Sequence, residues 1–157
     1  MNTSTKKDTW IRLNTGWSRP GDHRALGWAL WQPSYTAQPW PRDELRPAFT
    51  YYVCEERPDG ERGIIARATA TGVVGTAEVA SADAAYRLVA DTLFDDALAI
   101  PPEEWHTERY NAEKAKRPWP QLLTAWRVVT EPVRPRVLPE LSAFPRTGWL
   151  RTSGIAL

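Results

Sequence analysis

Few residues in this sequence carry side chains suited to catalysis or metal binding. Cys54 is the single cysteine, and His23 and His106 are the two histidines. Their spacing matches neither a CxxC pair nor a recognised zinc signature, and the sequence contains no GxGxxG, P-loop or GxSxG motif. We therefore expect no bound metal ion and no cofactor.

The carboxylates that lie close together in sequence include adjacent pairs at 55–56, 95–96 and 103–104. Adjacent side chains point to opposite faces of a strand, and they diverge by about 100° around a helix. General acid–base catalysis needs groups that converge on one substrate. We interpret these pairs as solvated charge, and we expect the protein not to be an enzyme.

Tryptophan is far more frequent than in an average protein, with nine residues in the chain. They are Trp10, Trp17, Trp28, Trp31, Trp40, Trp105, Trp119, Trp126 and Trp149. Indole rings can fill a small core, or they can line a slot for a flat ligand such as a nucleobase. Both interpretations stay open at this point.

Charge is unevenly distributed along the chain. Residues 1–113 hold 12 basic and 17 acidic groups, a net charge of −5, whereas residues 114–157 hold eight basic and two acidic groups, a net charge of +6. Six of those eight basic residues are arginines, whose guanidinium groups suit bidentate contacts with phosphate. The basic end is either ordinary solvated surface or a phosphate-binding surface.

Length and composition bound the class of protein. The chain has 157 residues, 42% hydrophobic and 25% charged, with a formal net charge of +1. These values are typical of one globular domain and exclude a polybasic or acidic disordered chain. There is no signal-peptide pattern and no membrane-length apolar stretch, and a lone cysteine fits a reducing compartment, so we expect a cytoplasmic protein with no membrane partner.

Periodicity predicts an α+β fold. A strand is expected at 26–33, with Trp28, Leu30 and Gln32 on one face and Ala29 and Trp31 on the other. The clearest hairpin joins 49–56 to 63–74 through a Pro-Asp-Gly turn. Further elements are a short strand at 10–13, helices at 81–99 and 103–116, a strand at 122–130, a helical turn at 138–144 and a strand-like tail at 148–157.

In the second arm of the hairpin, Ile64, Ala66, Ala68 and Ala70 are expected to share the buried face. Side chains this small leave room for a bulky group to pack over them. A tryptophan or a helix is the first candidate for that group, and a ligand is the second.

These pieces together resemble the EVE domain of the PUA-like superfamily, which includes YTH and ASCH relatives. The matching segments are GWALWQPS with PWPRDEL, then FTYYVCEERPDGERGIIARATATG, WPQLLTAWRVVTEPVRPRVLPELSAFP and LRTSGIAL. The resemblance covers 27–157. It implies a PUA-like twisted β-barrel flanked by helices, with a helical insertion at 81–117 and an N-terminal extension, 1–26, that packs on the barrel.

The resemblance also implies a function: a non-catalytic domain that holds a flipped, modified base, such as a modified cytosine, from DNA or RNA. Such domains accompany HNH or McrBC-type restriction nucleases in phage defence, which makes a nuclease encoded nearby an expected partner. The residues implied to contact the base are Trp31, Gln32, Ser34, Trp40, Gly63, Ile65, Ser153 and Gly154, with Trp17 as a substitute for a missing gating loop. The residues implied to bind phosphate are Arg67, Arg146 and Arg151.

Two other functions fit the sequence. Exposed tryptophans could make the protein an interaction or immunity-type module, since aromatic side chains are typical binding hot spots. An ASCH-like enzyme acting on a small substrate would need a Lys, Glu or His inside the pocket. The base and phosphate contacts named above include Arg67 but no residue of these three types.

Overall fold

The fold is described from a computed structural model, in which residues 9–14, 26–32, 40–56, 60–96, 99–137, 141 and 149–152 are described. The strands are β1 (Thr9–Asn14), β2 (Leu26–Trp31), β3 (Thr50–Glu56), β4 (Arg62–Val79), β5 (Gln121–Arg136) and β6 (Trp149–Thr152). The helices are α1 (Ala82–Leu93), α2 (Pro102–Thr107) and α3 (Arg109–Ala115). The predicted α+β class is confirmed.

The six strands form one sheet in the order β2-β5-β4-β3-β1-β6. β1 and β3 pair in parallel, and the other described neighbours are antiparallel. The sheet curls into a half-barrel, so that side chains near its two ends touch: the Arg12 Nη2 atom donates to the Trp28 carbonyl at 3.0 Å. The concave side of this sheet is the barrel interior.

β4 and β5 are long strands of 18 and 16 residues, and irregularities along them bend the sheet. Their pairing shifts register between Ile64 and Ala66, between Ala70 and Gly72, and between Val73 and Gly75. Bulges of this kind increase the local twist and bend the strand. Gly75 has a φ of +88°, which glycine adopts without the steric penalty of a Cβ atom. β4 and β5 can therefore span the curve of the half-barrel.

The interior of the half-barrel is an aromatic core. Ala66, Ala68 and Ala70 are buried there, and tryptophans from β1, β2, β5 and β6 pack in the same cluster. This confirms that small β4 residues leave space for indole rings. Ile64 was predicted on the same face, but it packs with Ile11 outside the barrel instead, because the bulge before Ala66 interrupts the alternation.

Three helices cover the outer side of β2 and β5. Ser81 caps α1 by accepting a hydrogen bond from the Ala84 amide, as its sequence position predicts. The helix ends at Leu93, earlier than the predicted residue 99. The helix predicted at 103–116 is two helices, since the Glu108 carboxylate accepts from the Tyr110 and Asn111 amides and begins α3 there.

A buried asparagine docks these helices on the sheet. The Asn111 Oδ1 atom accepts from the Trp28 indole at 3.0 Å, and its Nδ2 atom donates to the Trp105 carbonyl at 2.9 Å. The amide thus joins β2 to α2 and α3 within an apolar layer. None of the helices in the described ranges is long and apolar enough to cross a membrane.

The 1–26 segment contributes a strand to the sheet. Its residues 9–14 form β1, hydrogen-bonded between β3 and β6. Residues 1–8 and 15–25 lie outside the described part of the chain, as do 142–148, 153–157 and most of the predicted turn at 138–144, of which Leu141 is described and buried. The division of the chain at residue 26 stays a prediction.

Lys114 provides a test of the helical layer. Burial, with a smaller contribution from the nearby Arg117 charge, lowers the pKa of Lys114 from 10.5 to about 8. Between these two values the unfolded chain binds a proton that the folded chain does not, so the free energy of unfolding rises with pH across this window. Below pH 8 the charged, buried ammonium destabilises the fold.

We therefore expect Lys114→Met to stabilise the protein at pH 7 by on the order of 2 kcal/mol, and to lose that advantage as the pH approaches 10.5. Urea unfolding of both proteins at several pH values measures the difference. Burial raises the pKa of Cys54 to about 11, which destabilises the fold above pH 9. This effect is the same in both proteins, so it cancels when their free energies of unfolding are compared. A stability difference between the two proteins that does not vary with pH would contradict a lowered pKa of Lys114.

Candidate functional site

Two strands at one end of the sheet carry the same Trp-x-Arg pattern. It is Trp10-Ile11-Arg12 in β1 and Trp149-Leu150-Arg151 in β6. The strands are antiparallel, with Trp10 opposite Arg151 and Arg12 opposite Trp149. Each tryptophan therefore faces the arginine of the other strand. We call Trp10, Arg12, Trp149 and Arg151 the crossed Trp–Arg site.

The four side chains lie on the interior face because strand side chains alternate. Trp10 and Trp149 belong to the interior cluster, whereas Ile11 and Leu150, between the paired positions, pack in the outer cluster. The Trp10 and Trp149 rings meet edge to face, with centroids 6.2 Å apart. The Arg151 guanidinium lies 5.5 Å from the Trp10 ring centroid.

Arg12 is held by aromatic faces and by two oxygen atoms. Its guanidinium carbon lies 4.7 Å from the Trp126 ring centroid and 5.7 Å from that of Trp149, within cation–π range. It donates to the Trp28 carbonyl and hydrogen-bonds the Tyr51 side chain. Arg12 is partly exposed, in contrast to the buried rings of this aromatic core.

Trp126 is fixed by contacts on two sides. Its indole N–H donates to the Tyr51 hydroxyl at 3.0 Å. Gly27 lies so close that a Cβ atom there would be 2.6 Å from Cε2 of Trp126, so a larger residue at position 27 would displace the ring. Burial raises the pKa of Tyr51, while the Arg12 charge and the hydrogen bonds from Trp126 and Arg12 act in the opposite direction.

Trp31 and Trp40, the two predicted base-stacking residues, are stacked on each other. Their ring centroids are 4.2 Å apart with an interplanar angle of 23°. Both are buried, at 1% and 6% exposure, and neither indole N–H has a hydrogen-bond acceptor in the described structure. The structure thus brings these two residues together. The Trp40 ring already occupies the face of Trp31 on which a base would stack.

Gln32 does not join this pair. It follows Trp31 on the alternating strand, and its Nε2 atom donates to the Pro118 carbonyl at 3.2 Å, beyond the end of α3. The predicted alternation along 26–33 is confirmed where it is described, since Ala29 and Trp31 lie in the interior cluster, whereas Trp28 and Leu30 lie under the helices.

Gly63 and Ile65 lie near the start of β4. Gly63 pairs with Glu55 of β3. Trp31 pairs with Leu122 of β5, and Leu122 in turn pairs with Glu78, near the end of β4. The structure therefore places Gly63 at the opposite end of this long strand from Trp31. Ile65, at the first β4 bulge, packs against the interior cluster.

The predicted phosphate contacts differ in position. Arg151 belongs to the crossed Trp–Arg site. Arg67 is exposed and forms an ion pair with Glu131 of β5, which occupies its guanidinium. The predicted residues Trp17, Ser34, Arg146, Ser153 and Gly154 lie outside the described residues.

Sequence reasoning missed Arg12, Trp10, Trp126 and Trp149 as possible site residues. A partial signal was present, namely the Trp-x-Arg pattern, which the sequence carries four times, at 10–12, 17–19, 40–42 and 149–151, two of them in short strand-like segments. The pattern places an aromatic ring and a cation on the same face of each strand. That the two copies pair was not visible, because they lie more than 130 positions apart.

The described residues also bear on the other functions considered. Of the eight tryptophans that the structure describes, seven are buried and Trp119 is half-buried, so these ranges present no flat, exposed tryptophan patch. No group of three or more His, Cys, Asp or Glu residues within the described ranges could hold a metal ion. Glu55 is buried with one carboxyl oxygen unpartnered, and burial raises its pKa.

Comparisons with known proteins add no relative. No protein-family model matches the chain, and neither the curated proteins nor the solved structures gave a match. The assignment of function therefore has to proceed from the geometry of the site.

Tyr51 offers a test of the interior geometry. Tyr51→Phe leaves the buried Trp126 N–H without its acceptor and removes one partner of Arg12. We expect the free energy of unfolding to fall by about 1–3 kcal/mol, the typical cost of an unsatisfied buried donor. Tyr52→Phe, one position along β3 on the other face, is the matched control and should change stability by less than about 0.5 kcal/mol. Equal effects of the two variants in chemical unfolding would contradict this role for Tyr51.

Proposed function

We propose that this chain is a non-catalytic, PUA-like domain that binds nucleic acid and accommodates a flipped, modified base on the face of Trp31. The curled sheet and its aromatic interior support the barrel part of this proposal. The guanidinium groups of Arg12 and Arg151, at one end of the same interior face, are suited to the phosphates of the strand that carries the base.

The observation that carries the proposal is the stacked pair of Trp31 and Trp40, with both indole N–H groups buried and unpaired. A buried donor without an acceptor costs about 1–3 kcal/mol, and two such donors on adjacent rings are an unusual arrangement in a core. Indole can only donate. The indole N–H points outward in the plane of its ring, so a base stacked on Trp31 cannot accept from it, but the sugar and phosphate oxygens of the flipped nucleotide are acceptors that can approach from the side.

Binding requires Trp40 to move. Trp31 lies in β2, paired with Leu122, and its ring is 1% exposed with Trp40 on one face. Trp40 lies outside the strands, two residues before the turn at 42–44. We therefore expect the base to replace Trp40 on the face of Trp31 while the strand residue stays in place.

The energies involved are compatible with such an exchange. Stacking a base on an aromatic side chain contributes about 1–3 kcal/mol. A pair of aromatic side chains, such as Trp31 and Trp40, contributes about 0.5–1.5 kcal/mol. Flipping costs a few kcal/mol, which phosphate contacts and edge hydrogen bonds offset. A methyl or hydroxymethyl group on the base adds on the order of 1 kcal/mol per buried carbon, which is enough to select a modified base.

Calorimetric titration with short oligonucleotides tests the proposal. An oligonucleotide with one modified cytosine should bind more tightly than its unmodified counterpart. Trp31→Phe, which keeps a ring but removes the N–H, should weaken binding of the modified strand about fivefold to tenfold. Trp105→Phe is the matched control, since Trp105 is equally buried and also has an unpaired N–H but lies under the helices. No binding, or no preference for the modification, would reject the proposal.

The direction of the effect at Trp40 separates two modes of binding. If Trp40 is displaced, Trp40→Leu removes the competing ring, and affinity for the modified oligonucleotide should rise. If the base instead lies between the two rings, affinity should fall as it does for Trp31→Phe. Unfolding curves of both variants show whether the folded state is retained during the titration.

A further inference from the structure

The crossed Trp–Arg site brings two cations to the edge of the sheet. Arg12 and Arg151 occupy diagonal positions on the antiparallel β1–β6 pair. Diagonal neighbours in such pairs are typically about 7–8 Å apart, within reach of long side chains. β6 is the outermost strand in the sheet order. Arg151 is exposed and Arg12 is partly exposed, so both residues retain contact with solvent.

Arg12 has unused capacity for an anion. A guanidinium has five N–H donors, and its contacts within the protein are the Trp28 carbonyl, the Tyr51 side chain and two indole faces. No carboxylate in the described ranges lies within ion-pair distance of Arg12. By contrast, Arg67 and Arg127, on β4 and β5, each pair with an acidic side chain.

The indole rings make this arrangement rigid. Trp149 and Trp126 flank the Arg12 guanidinium, and Trp10 supports that of Arg151. Both supporting strand residues, Trp10 and Trp149, are buried and in edge-to-face contact. A guanidinium held in place before a ligand arrives loses less conformational entropy on binding.

We propose that the crossed Trp–Arg site binds a phosphate group, with Arg12 and Arg151 donating to its oxygen atoms. Two guanidinium forks match the several oxygens of a phosphate better than they match one carboxylate, which a single fork already satisfies. The phosphate belongs either to a nucleic-acid backbone or to a free phosphate ester. The site deepens the proposed nucleic-acid binding, on which it rests, by naming the phosphate contacts, but it requires no modified base and can therefore be tested separately from the base-binding step.

An oligonucleotide built entirely of abasic residues tests the site, because it offers phosphates and no bases. We expect it to bind the wild-type chain, and Arg12→Met to weaken that binding about tenfold. The dependence of log K on log salt concentration should also become shallower by about 0.7, the value for one lost single-strand phosphate contact. Arg134→Met is the matched control, an exposed arginine on β5 without a described contact, and should change affinity less than twofold.

Arg12 also bridges the two ends of the sheet, so we interpret the result for Arg12→Met together with that for a second variant, Arg151→Met. Arg151→Met, on the edge strand, should weaken binding and flatten the salt dependence in the same way. Equal behaviour of the Arg12, Arg151 and Arg134 variants, or a loss of affinity with an unchanged salt slope, would overturn the phosphate site.

Inorganic phosphate and a nucleoside monophosphate distinguish the source of the phosphate. If inorganic phosphate or the nucleoside monophosphate binds more strongly than the abasic strand, and Arg12→Met loses that binding, the site is assigned to free phosphate or to a small phosphate ester. If the strand binds more strongly, the site is assigned to a nucleic-acid backbone. If the arginine variants act as expected but modified and unmodified oligonucleotides bind equally, the phosphate site stands and the base-binding proposal fails. If modified DNA is preferred and the arginine variants have no effect, the base-binding proposal stands and the phosphate site fails.

Discussion

The interior of this half-barrel depends on how the Arg12 guanidinium is accommodated. It lies near one end of the sheet, donates to a backbone carbonyl of β2 at the other end and rests against the faces of Trp126 and Trp149. A cation among apolar groups needs such partners, because desolvation without them is costly. The aromatic rings and the Tyr51 hydroxyl therefore have to converge where the two ends of the curled sheet approach each other.

The same convergence explains several sequence choices elsewhere. Trp126 reaches Tyr51 because Gly27 has no Cβ atom on the neighbouring strand. The interior accommodates so many indoles because the facing β4 positions are alanines, at Ala66, Ala68 and Ala70. Large rings and small residues alternate across the interior, as dense packing requires.

Local patterns predicted the local elements well. The α1 cap at Ser81, the β3–β4 hairpin and the alternation along β2 all depend on residues close in sequence. Predictions were wrong where a distant or irregular contact decides. The bulge before Ala66 turns Ile64 outward, and the Glu108 carboxylate divides the predicted second helix. β5 also runs on to Arg136 through two prolines, since pairing with β4 continues there.

The sequence by itself determined the α+β class, the wealth of indole and the presence of arginine beside it, because composition and short-range periodicity act within single elements. Only the tertiary structure decided which rings meet. Trp31 and Trp40 became a closed stack, and two Trp-x-Arg segments from opposite ends of the chain became one crossed site. Strand order and register bring about both contacts, and they are set by the packing of the whole sheet.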